Sequence, residues 1–454
     1  MGKRLFGTDG MRGVAGQFPL DRSTLRALGG ALAGMVRSGS SAPRVLLARD
    51  TRESGADILA TLASALVAGG ARVEAAGVLP TPAVALVTRE GGYQAGIMVS
   101  ASHNPYRDNG VKVISGDGYK LADDLEDALE RVMLDEPPAA SAAFPPAPAE
   151  EPGRFEALYV ERVRARLGGG LELGGLKIAL DCAHGAAYRL APRVFAELGA
   201  EVRAIHCEPD GRNINHECGS LYPQALAREV VAGGADLGIA FDGDADRALA
   251  VDDRGRVLDG DFLLWRSALD LKAQGALARS IVVATVMSNL WLERTLEREG
   301  IALRRAAVGD RYVLEEMRRC GAVLGGEQSG HIIYLGHSTT GDGILTGLRL
   351  ADSLRRAGAK LSGWAALFDP CPQVLLNVPV QGKPDLAGHP VIGEAIRRVE
   401  STLGDRGRVL VRCSGTEPLA RVMVEGFEAQ AVQSLARHLA EVIEREVGAG
   451  SKRV

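Results

Sequence analysis

Three aspartates stand at alternate positions in Phe241-Asp-Gly-Asp-Ala-Asp-Arg247, directly after the apolar run "LGIA". On an extended segment, residues at i, i+2 and i+4 share one face. Two carboxylates about 4 Å apart repel by roughly 4 kcal/mol at an effective dielectric of 20. Three crowded together call for a cation, and Asp242, Asp244 and Asp246 offer the hard oxygens that suit Mg²⁺ or Ca²⁺. An EF-hand loop also opens D-x-D-x-D. It needs Gly at its sixth position, where this chain has Arg247, and an entering helix, where this chain has a strand. The plain alternative is a solvated acidic turn. The preceding strand aims the loop at the carboxyl edge of an α/β sheet, where ligands bind, and favours the metal.

Three further polar loops carry residues of complementary chemistry. The first, "MVSASHNPYRDNGVKV" from Met98 to Val113, leaves an apolar strand at Ser102 and His103, with "FGTDGMRG" (Phe6 to Gly13) beside it. Adjacent residues diverge on an extended chain, and no G-x-S-x-G elbow exists, so a protease-type Ser–His pair is not expected. Asn109-Gly110 fits a tight hairpin that would bring Lys112 back toward Ser102. The second, Gly325-Gly-Glu-Gln-Ser-Gly-His331, puts Glu327 and Ser329 on one side, as binders of sugar hydroxyls would stand; a Gly-rich turn with a capping Ser is the plain reading. Asp310-Arg311 precedes a helix, and its plain role is the cap. The third, Arg412-Cys-Ser-Gly-Thr-Glu-Pro418, with Arg421 close behind, offers successive N–H groups around a Gly, two hydroxyls and a guanidinium. That is an oxyanion cradle, or else a decorated hairpin turn. Together the loops supply a hydroxyl, an acidic trio, a hydroxyl-binding pair and an anion cradle, a set that suits a phosphorylated polyol held at both ends.

The elements that must position these loops alternate strand and helix, the grammar of α/β layering. Asp21 caps a helix with Leu25, Leu28, Leu32 and Met35 at helical spacing. "RVLLARD" is a strand, Ala56 to Val67 a helix closed by Gly69-Gly70, and "RVEAAGV" the next strand. Thr81-Pro82 opens another helix as N-cap and first residue. After "EPPAASAAFPPAPAEEP" (Glu136 to Pro152), which has no apolar period and reads as a domain boundary, the alternation resumes. It runs through "LKIALD", a helix over Ala186 to Leu198, "EVRAIH" and "ADLGIAF". A third block holds "SIVVATV", a helix from Asn289, "AVLGG", "HIIYLG" and a helix after "TTGDG". "FDPCPQ" (Phe368 to Gln373) precedes a last unit of "VLLNVPV", helix, "RVLVRCS", "ARVMVEG" and a helix from Gln430 on.

Length bounds the answer too: 454 residues exceed one core and point to three or four domains. A formal net charge of −4 gives no global attraction to nucleic acid or an anionic membrane, so an anionic ligand must be held by local clusters. The six cysteines are scattered without a C-x-x-C pair, so neither a zinc site nor a disulfide framework is expected. "MGKRLFGTDG" lacks an apolar h-region and no run of about 18 apolar residues occurs; a cytoplasmic protein is expected.

At these residues the chain resembles the α-D-phosphohexomutase superfamily over essentially its whole length. "SASHNP" is similar to that family's phosphoserine loop, "DGDADR" to its metal loop, "GGEQSGH" to its sugar loop and "RCSGTEP" to its phosphate loop, in the family's order. "RLFGTDGMRG", "GGEQSGH" and "TTGDG" are most similar to the branch acting on glucosamine phosphates; the branch acting on mannose and glucose phosphates is the alternative. Trp291, after "MSNL", departs from that branch, which more often has Gly, and the long Ala/Pro linker is unusual. The resemblance implies four domains: a phosphoserine-bearing α/β domain over 1–150, a metal-binding α/β domain over 151–251, a sugar-binding α/β domain over 252–368 and a phosphate-binding α+β domain over 369–454. The first three would sandwich sheets between helices, and the last would resemble half of a TATA-binding protein. It implies conversion of glucosamine 6-phosphate to glucosamine 1-phosphate on the route to UDP-N-acetylglucosamine. It also implies one Mg²⁺ per subunit on Asp242, Asp244, Asp246 and a phosphate oxygen of phosphorylated Ser102, and a hexose 1,6-bisphosphate as activator and intermediate. Arg12, Arg247 and Lys112 would neutralise charge, His103 would orient the phosphate, and Lys112 and His331 are candidates for the proton acceptor. Glu327 and Ser329, with Asp310 and Arg311, would grip the sugar; Arg412, Ser414, Gly415, Thr416 and Arg421 would clamp the non-reacting phosphate. The partner implied is a small hexosamine phosphate, with no nucleic acid or membrane, and a homodimer is compatible with it.

Two other classes compete. A metal-dependent serine phosphatase needs a nucleophile and a cation but no remote clamp, and it would release inorganic phosphate where a mutase returns the isomeric monophosphate. A catalytically dead sugar-phosphate sensor would not need Ser102 and three intact aspartates.

Overall fold

A computed structural model of the chain describes residues 5–7, 10–37, 42–135, 146–168, 170–414 and 418–449. They divide into two compact units, one holding the described residues up to 287 and 301–367, the other holding 288–300 and the described residues from 368 on.

The larger unit holds three sheets whose parallel centres carry antiparallel edges. In the first, the order is Met11–Val14, Asp108–Ser115, Ala95–Val99, Arg44–Arg49, Arg72–Val78. Arg44–Arg49 runs parallel to both Ala95–Val99 and Arg72–Val78, whereas Ala95–Val99 and Asp108–Ser115 are antiparallel, with Met98 opposite Lys112. The second sheet is ordered Val257–Leu258, Ala248–Asp252, Leu237–Phe241, Lys177–Asp181, Glu201–Ile205, with parallel pairing of the last three. The third is Ala302–Ala306, Ile281–Thr285, Leu324–Gly326, Ile332–Tyr334. Central strands such as Ala95–Val99 and Leu237–Phe241 are buried along their whole length, as strands covered on both faces must be, and hence read as continuous apolar runs. The smaller unit is a three-stranded antiparallel sheet, Gln373–Pro379, Leu419–Gly426, Gly407–Cys413, packed against helices Pro390–Leu403 and Ala429–Val447.

Most expected elements form within a residue or two of their sequence limits, and Asp21 does cap its helix, its Oδ1 accepting from the N–H groups of Ser23 and Thr24. Four local expectations fail, each for a steric or bonding reason. Asn109-Gly110 is not the hairpin turn: both residues lie inside the strand Asp108–Ser115, and the connection from Ala95–Val99 is the longer stretch 100–107. Gly110 is needed instead for close approach, since a Cβ there would sit 2.5 Å from Ser100 O, and the Asn109 side chain donates to Ser54 Oγ. Thr81 is not an N-cap; it occupies the first turn of the helix Thr81–Glu90 and sends its hydroxyl elsewhere. The helix expected from Ala186 begins only at Leu190, because residues 182–189 form a loop pressed onto the aspartate loop. A Cβ on Gly185 would lie 2.4 Å from Gly243 O. Lastly, Ser102 is not extended: its φ is 51°.

Of the Pro/Ala-rich segment, residues 136–145 lie outside the described residues. Its far end does not float free: Glu151 N–H bonds Ala75 O, and the Glu150 carboxylate takes both Arg49 Nε and Nη2. The helix Leu290–Arg298 groups with the smaller unit. Asn289 caps it at Trp291 N–H and bonds both backbone groups of Cys371, while Trp291 meets Phe368 edge to face at 4.8 Å between ring centres. The unusual Trp thus fills this packing position and stands outside the chemistry.

Candidate active site

The left-handed backbone at Ser102 turns its hydroxyl away from the strand axis and onto the aspartate loop. A non-Gly residue held at positive φ is a sign of a constrained, functional turn. The constraint is visible. Arg52, fully buried in an ion pair with Asp50, donates to the carbonyls of Ser102, Asn104 and Pro105. Ser100 Oγ donates to Asp50 and accepts Ser102 N–H; Asn215 Nδ2 donates to Ser102 O at 2.8 Å and Asn104 O at 3.2 Å. Every one of these groups is satisfied, so the network holds one loop shape.

Ser102 Oγ donates to Asp242 Oδ2 at 2.6 Å, and His103 Nδ1 lies 3.3 Å from the same hydroxyl. The divergence expected of adjacent residues does not occur, because the chain is left-handed rather than extended at Ser102. Burial, with Arg247 and Arg12 nearby, pushes the His103 pKa down to about 4, so its imidazole is neutral at neutral pH.

Asp242, Asp244 and Asp246 each bring an oxygen within 4.8 Å of the others, and all three are buried. They converge in a tight loop with Ala245 at φ 55°, not along an extended face. Asp244 Oδ2 accepts from Thr81 Oγ1 at 2.5 Å and from Lys112 Nζ at 3.0 Å; Lys112 Nζ is 3.7 Å from Asp246 Oδ2. Arg247 donates its N–H to Asp242 Oδ1 and sets Nε 3.8 Å from Asp246 Oδ1. Burial and the neighbouring charges of Asp246 and Asp244 hold Asp242 well above the ordinary carboxylate range. Burial works the same way on Asp246, but Lys112 and His331 override it and hold Asp246 well below that range. Asp244 Oδ1 and Asp246 Oδ1 are buried acceptors with no hydrogen-bond partner among the described residues. Such groups are costly without a donor or a cation, and an oxygen-ligated divalent ion fits this pocket.

His331 is buried beside the triplet, with Nδ1 3.6 Å from Asp246 Oδ2 and Nε2 accepting Gly341 N–H at 2.9 Å. Glu327 Oε1 accepts Gly309 N–H, and its Oε2 stands 3.4 Å from Ser329 Oγ. Asp310 is the first residue of the helix Asp310–Cys320, not its cap; it pairs with Lys120 at 2.5 Å and lies 3.7 Å from His331 Nε2. Arg311 turns to Asp123 and Glu315 instead. Arg12 lies on the strand Met11–Val14, opposite Gly110. In the smaller unit, Arg412 and Arg421 face one another across paired strands. Burial and then Arg421 lower the Arg412 pKa, a like-charge pairing that an anion would relieve. Ser414 is buried with its N–H on Leu419 O. Gly415 and Thr416 lie outside the described residues.

Sequence reading missed Asp50, Arg52, Ser100, Thr81 and Asn215. "ARDTR" did carry a signal, a charged pair at the carboxyl end of an apolar strand. Asn215 left none, because its role depends on a contact 113 residues away in sequence.

Models of the phosphoglucomutase/phosphomannomutase family match the chain in four successive pieces. These are alpha/beta/alpha domain I over residues 3–139, domain II over 157–255, domain III over 259–371 and the C-terminal domain over 375–442. The chain is 50% identical over 450 residues to the phosphoglucosamine mutase of Solibacter usitatus, covering 99% of this chain and 100% of that one. It is 46% identical over 447 residues to that of Myxococcus xanthus, covering 98% and 97%. Among solved structures, a phosphoglucomutase/phosphomannomutase family protein from Burkholderia thailandensis superposes with a TM-score of 0.78 at 24% identity, covering 96% of each chain, and so shares the fold.

Proposed function

Since this chain belongs to the phosphoglucomutase/phosphomannomutase family, we propose that it interconverts glucosamine 6-phosphate and glucosamine 1-phosphate, the activity named for its relatives of 46–50% identity. The observation that carries the mechanism is the Ser102 hydroxyl seated 2.6 Å from a carboxylate of a buried, acceptor-rich aspartate triplet.

Ser102 carries a phosphoryl group. The Oγ–P bond breaks as a P–O bond forms to the free sugar hydroxyl, whose proton passes to a base. The resulting hexosamine 1,6-bisphosphate turns end for end, and its other phosphoryl group returns to Ser102 Oγ. Phosphoryl transfer has a loose transition state, so positioning and charge neutralisation do most of the work. One Mg²⁺ held by Asp242, Asp244, Asp246 and a phosphate oxygen would supply part of that neutralisation when bound. Lys112, Arg247 and Arg12 supply the rest. His103, neutral and 3.3 Å from Ser102 Oγ, would orient the phosphate, and Lys112 or His331 would take the proton, His331 also pairing with Asp246. Glu327 and Ser329 grip the sugar hydroxyls, with Asp310 fixing the neighbouring helix start and Arg311 acting from its edge. Arg412, Arg421, Ser414, Gly415 and Thr416 clamp the phosphate that does not react. Domain limits at 150/151, 251/252 and 368/369, a homodimeric state and a cytoplasmic location complete the proposal.

A coupled assay started with catalytic bisphosphate tests it. Glucosamine 1-phosphate should form from glucosamine 6-phosphate faster than hexose phosphates interconvert. Release of inorganic phosphate in its place would make the protein a phosphatase.

A further inference from the structure

A second group of ligand-type side chains stands at other strand ends of the second sheet. The strand Lys177–Asp181 ends in Asp181, and its parallel neighbour Glu201–Ile205 runs on into His206. The loop 213–220 then brings back Cys218. Oxygen, nitrogen and sulfur atoms of these three residues lie within 4.8 Å of one another. Asp181 and Cys218 are buried, and the His206 side chain keeps 27% of its surface open. His206 Nδ1 pairs with Asp181 Oδ2 at 3.0 Å but has no well-aligned hydrogen-bond partner among the described residues. Metal–ligand bonds of about 2.0–2.3 Å in a tetrahedron give ligand–ligand edges of roughly 3.3–3.7 Å, so this ion pair, now closer than that, would part slightly to share one ion.

We propose that Asp181, His206 and Cys218 form a binding site for a thiophilic divalent cation of the Zn²⁺ class, separate from the aspartate triplet. One sulfur, one nitrogen and one oxygen match Zn²⁺ and exclude Mg²⁺, which demands an octahedron of oxygens. Two more free thiols, Cys182 and Cys207, stand close by within electrostatic reach of Asp181. The exposed edge of His206 leaves a way in, and the fourth position falls to water. Sequence spacing hid the site because its ligands come from two strand ends and a loop rather than from a C-x-x-C turn.

Filling it would brace the active site from behind. Gly219 N–H already bonds Asp181 Oδ2 at 3.0 Å, and Asn215 on the same loop holds the carbonyls of Ser102 and Asn104. A cation on Asp181, His206 and Cys218 would tie the Cys218 end of that loop to the two strand ends. Because burial pushes the Cys218 thiol up to about 12, binding must displace a proton from it.

Co²⁺ is the probe. Added to reduced, chelator-treated full-length protein, one Co²⁺ per chain should produce a sulfur-to-cobalt charge-transfer band in the near ultraviolet, with intense tetrahedral visible bands. Zn²⁺ should erase both stoichiometrically. Cys218→Ser and His206→Gln should each lose the band while melting cooperatively. Asp246→Asn should keep it, since cobalt on the aspartate triplet has no thiolate ligand. A wild-type protein without the band overturns the proposal. So does a band that survives Cys218→Ser and disappears in Cys182→Ser or Cys207→Ser. Should Cys218→Ser not fold, His206→Gln alone decides, and an unchanged band there is equally fatal.

Discussion

Two buried clusters at strand ends of one sheet start alike, with an aspartate following an apolar parallel strand, and end differently. Asp181 is met by its own surroundings: Ala183 N–H and Gly219 N–H donate to it at 2.9 and 3.0 Å, and His206 lies against it. In the aspartate triplet, among the described residues, local N–H groups reach only the Asp242 side chain, through Arg247. The donors to Asp244 are side chains from the first sheet and its helices, Lys112 and Thr81, and two oxygens of the triplet have no hydrogen-bond donor among the described residues. A carboxylate supplied by its own loop is a brace that can take a soft ion as a supplement. One left short of donors, among other carboxylates, is a ligand in want of a cation.

Neutralising the triplet should break the comparison most sharply. Asp246→Asn removes one ligand charge and should lower kcat by on the order of 10²–10³-fold, the scale on which one preorganised electrostatic contact acts in an oxyanion-hole site. A steady-state assay across a Mg²⁺ titration reads it, and saturating Mg²⁺ should not restore the rate. Chelation of the wild-type protein should have a comparable but reversible effect.

The supporting donors come next. Thr81→Val keeps the shape of the side chain and deletes the hydroxyl on Asp244; on the order of 10-fold loss in metal affinity is expected, as for outer-shell partners generally. Isothermal titration with Mg²⁺ checks it. Asn215→Ala frees the carbonyls of Ser102 and Asn104 and should cost a few-fold in kcat at unchanged Mg²⁺ affinity, because it touches the serine loop and not the triplet.

The smallest effect belongs to the brace. In metal-free protein the Asp181 carboxylate raises the His206 pKa above its ordinary 6.5, although burial opposes the shift. A His with a raised folded pKa lends stability that is fully present below the unfolded value and is lost as pH rises through the folded one. Urea midpoints of the wild type should therefore fall modestly from about pH 6.5 upward, and His206→Gln should flatten that slope. Equal slopes would show that the Asp181–His206 pair does not carry the pH dependence.

How far these clusters could be read in advance follows from the range of the contacts. Alternation of apolar strands and helices is a local pattern, so "AGIMV", "LGIA" and their helices were legible, as were Ser102 and the aspartates sitting just past strand ends. The shape of the loops was not. Asn109-Gly110 has turn composition but serves strand-to-strand approach, and the extended geometry that parted Ser102 from His103 is replaced by a left-handed residue. That residue is held by Arg52 and Asn215, whose partners lie 50 and 113 positions away. Asp181, His206 and Cys218 stayed hidden for the same reason: no short spacing links them.

The claim that Ser102 Oγ carries the transferred phosphoryl group is tested most directly by intact-protein and peptide mass spectrometry after incubation with a hexose 1,6-bisphosphate. The wild-type chain should gain the mass of one phosphoryl group, located on Ser102, and lose it on addition of glucosamine 6-phosphate. Ser102→Ala should fold, gain nothing and show no turnover. A phosphoryl group that settles on another residue, or sustained mutase turnover by Ser102→Ala, would contradict the account.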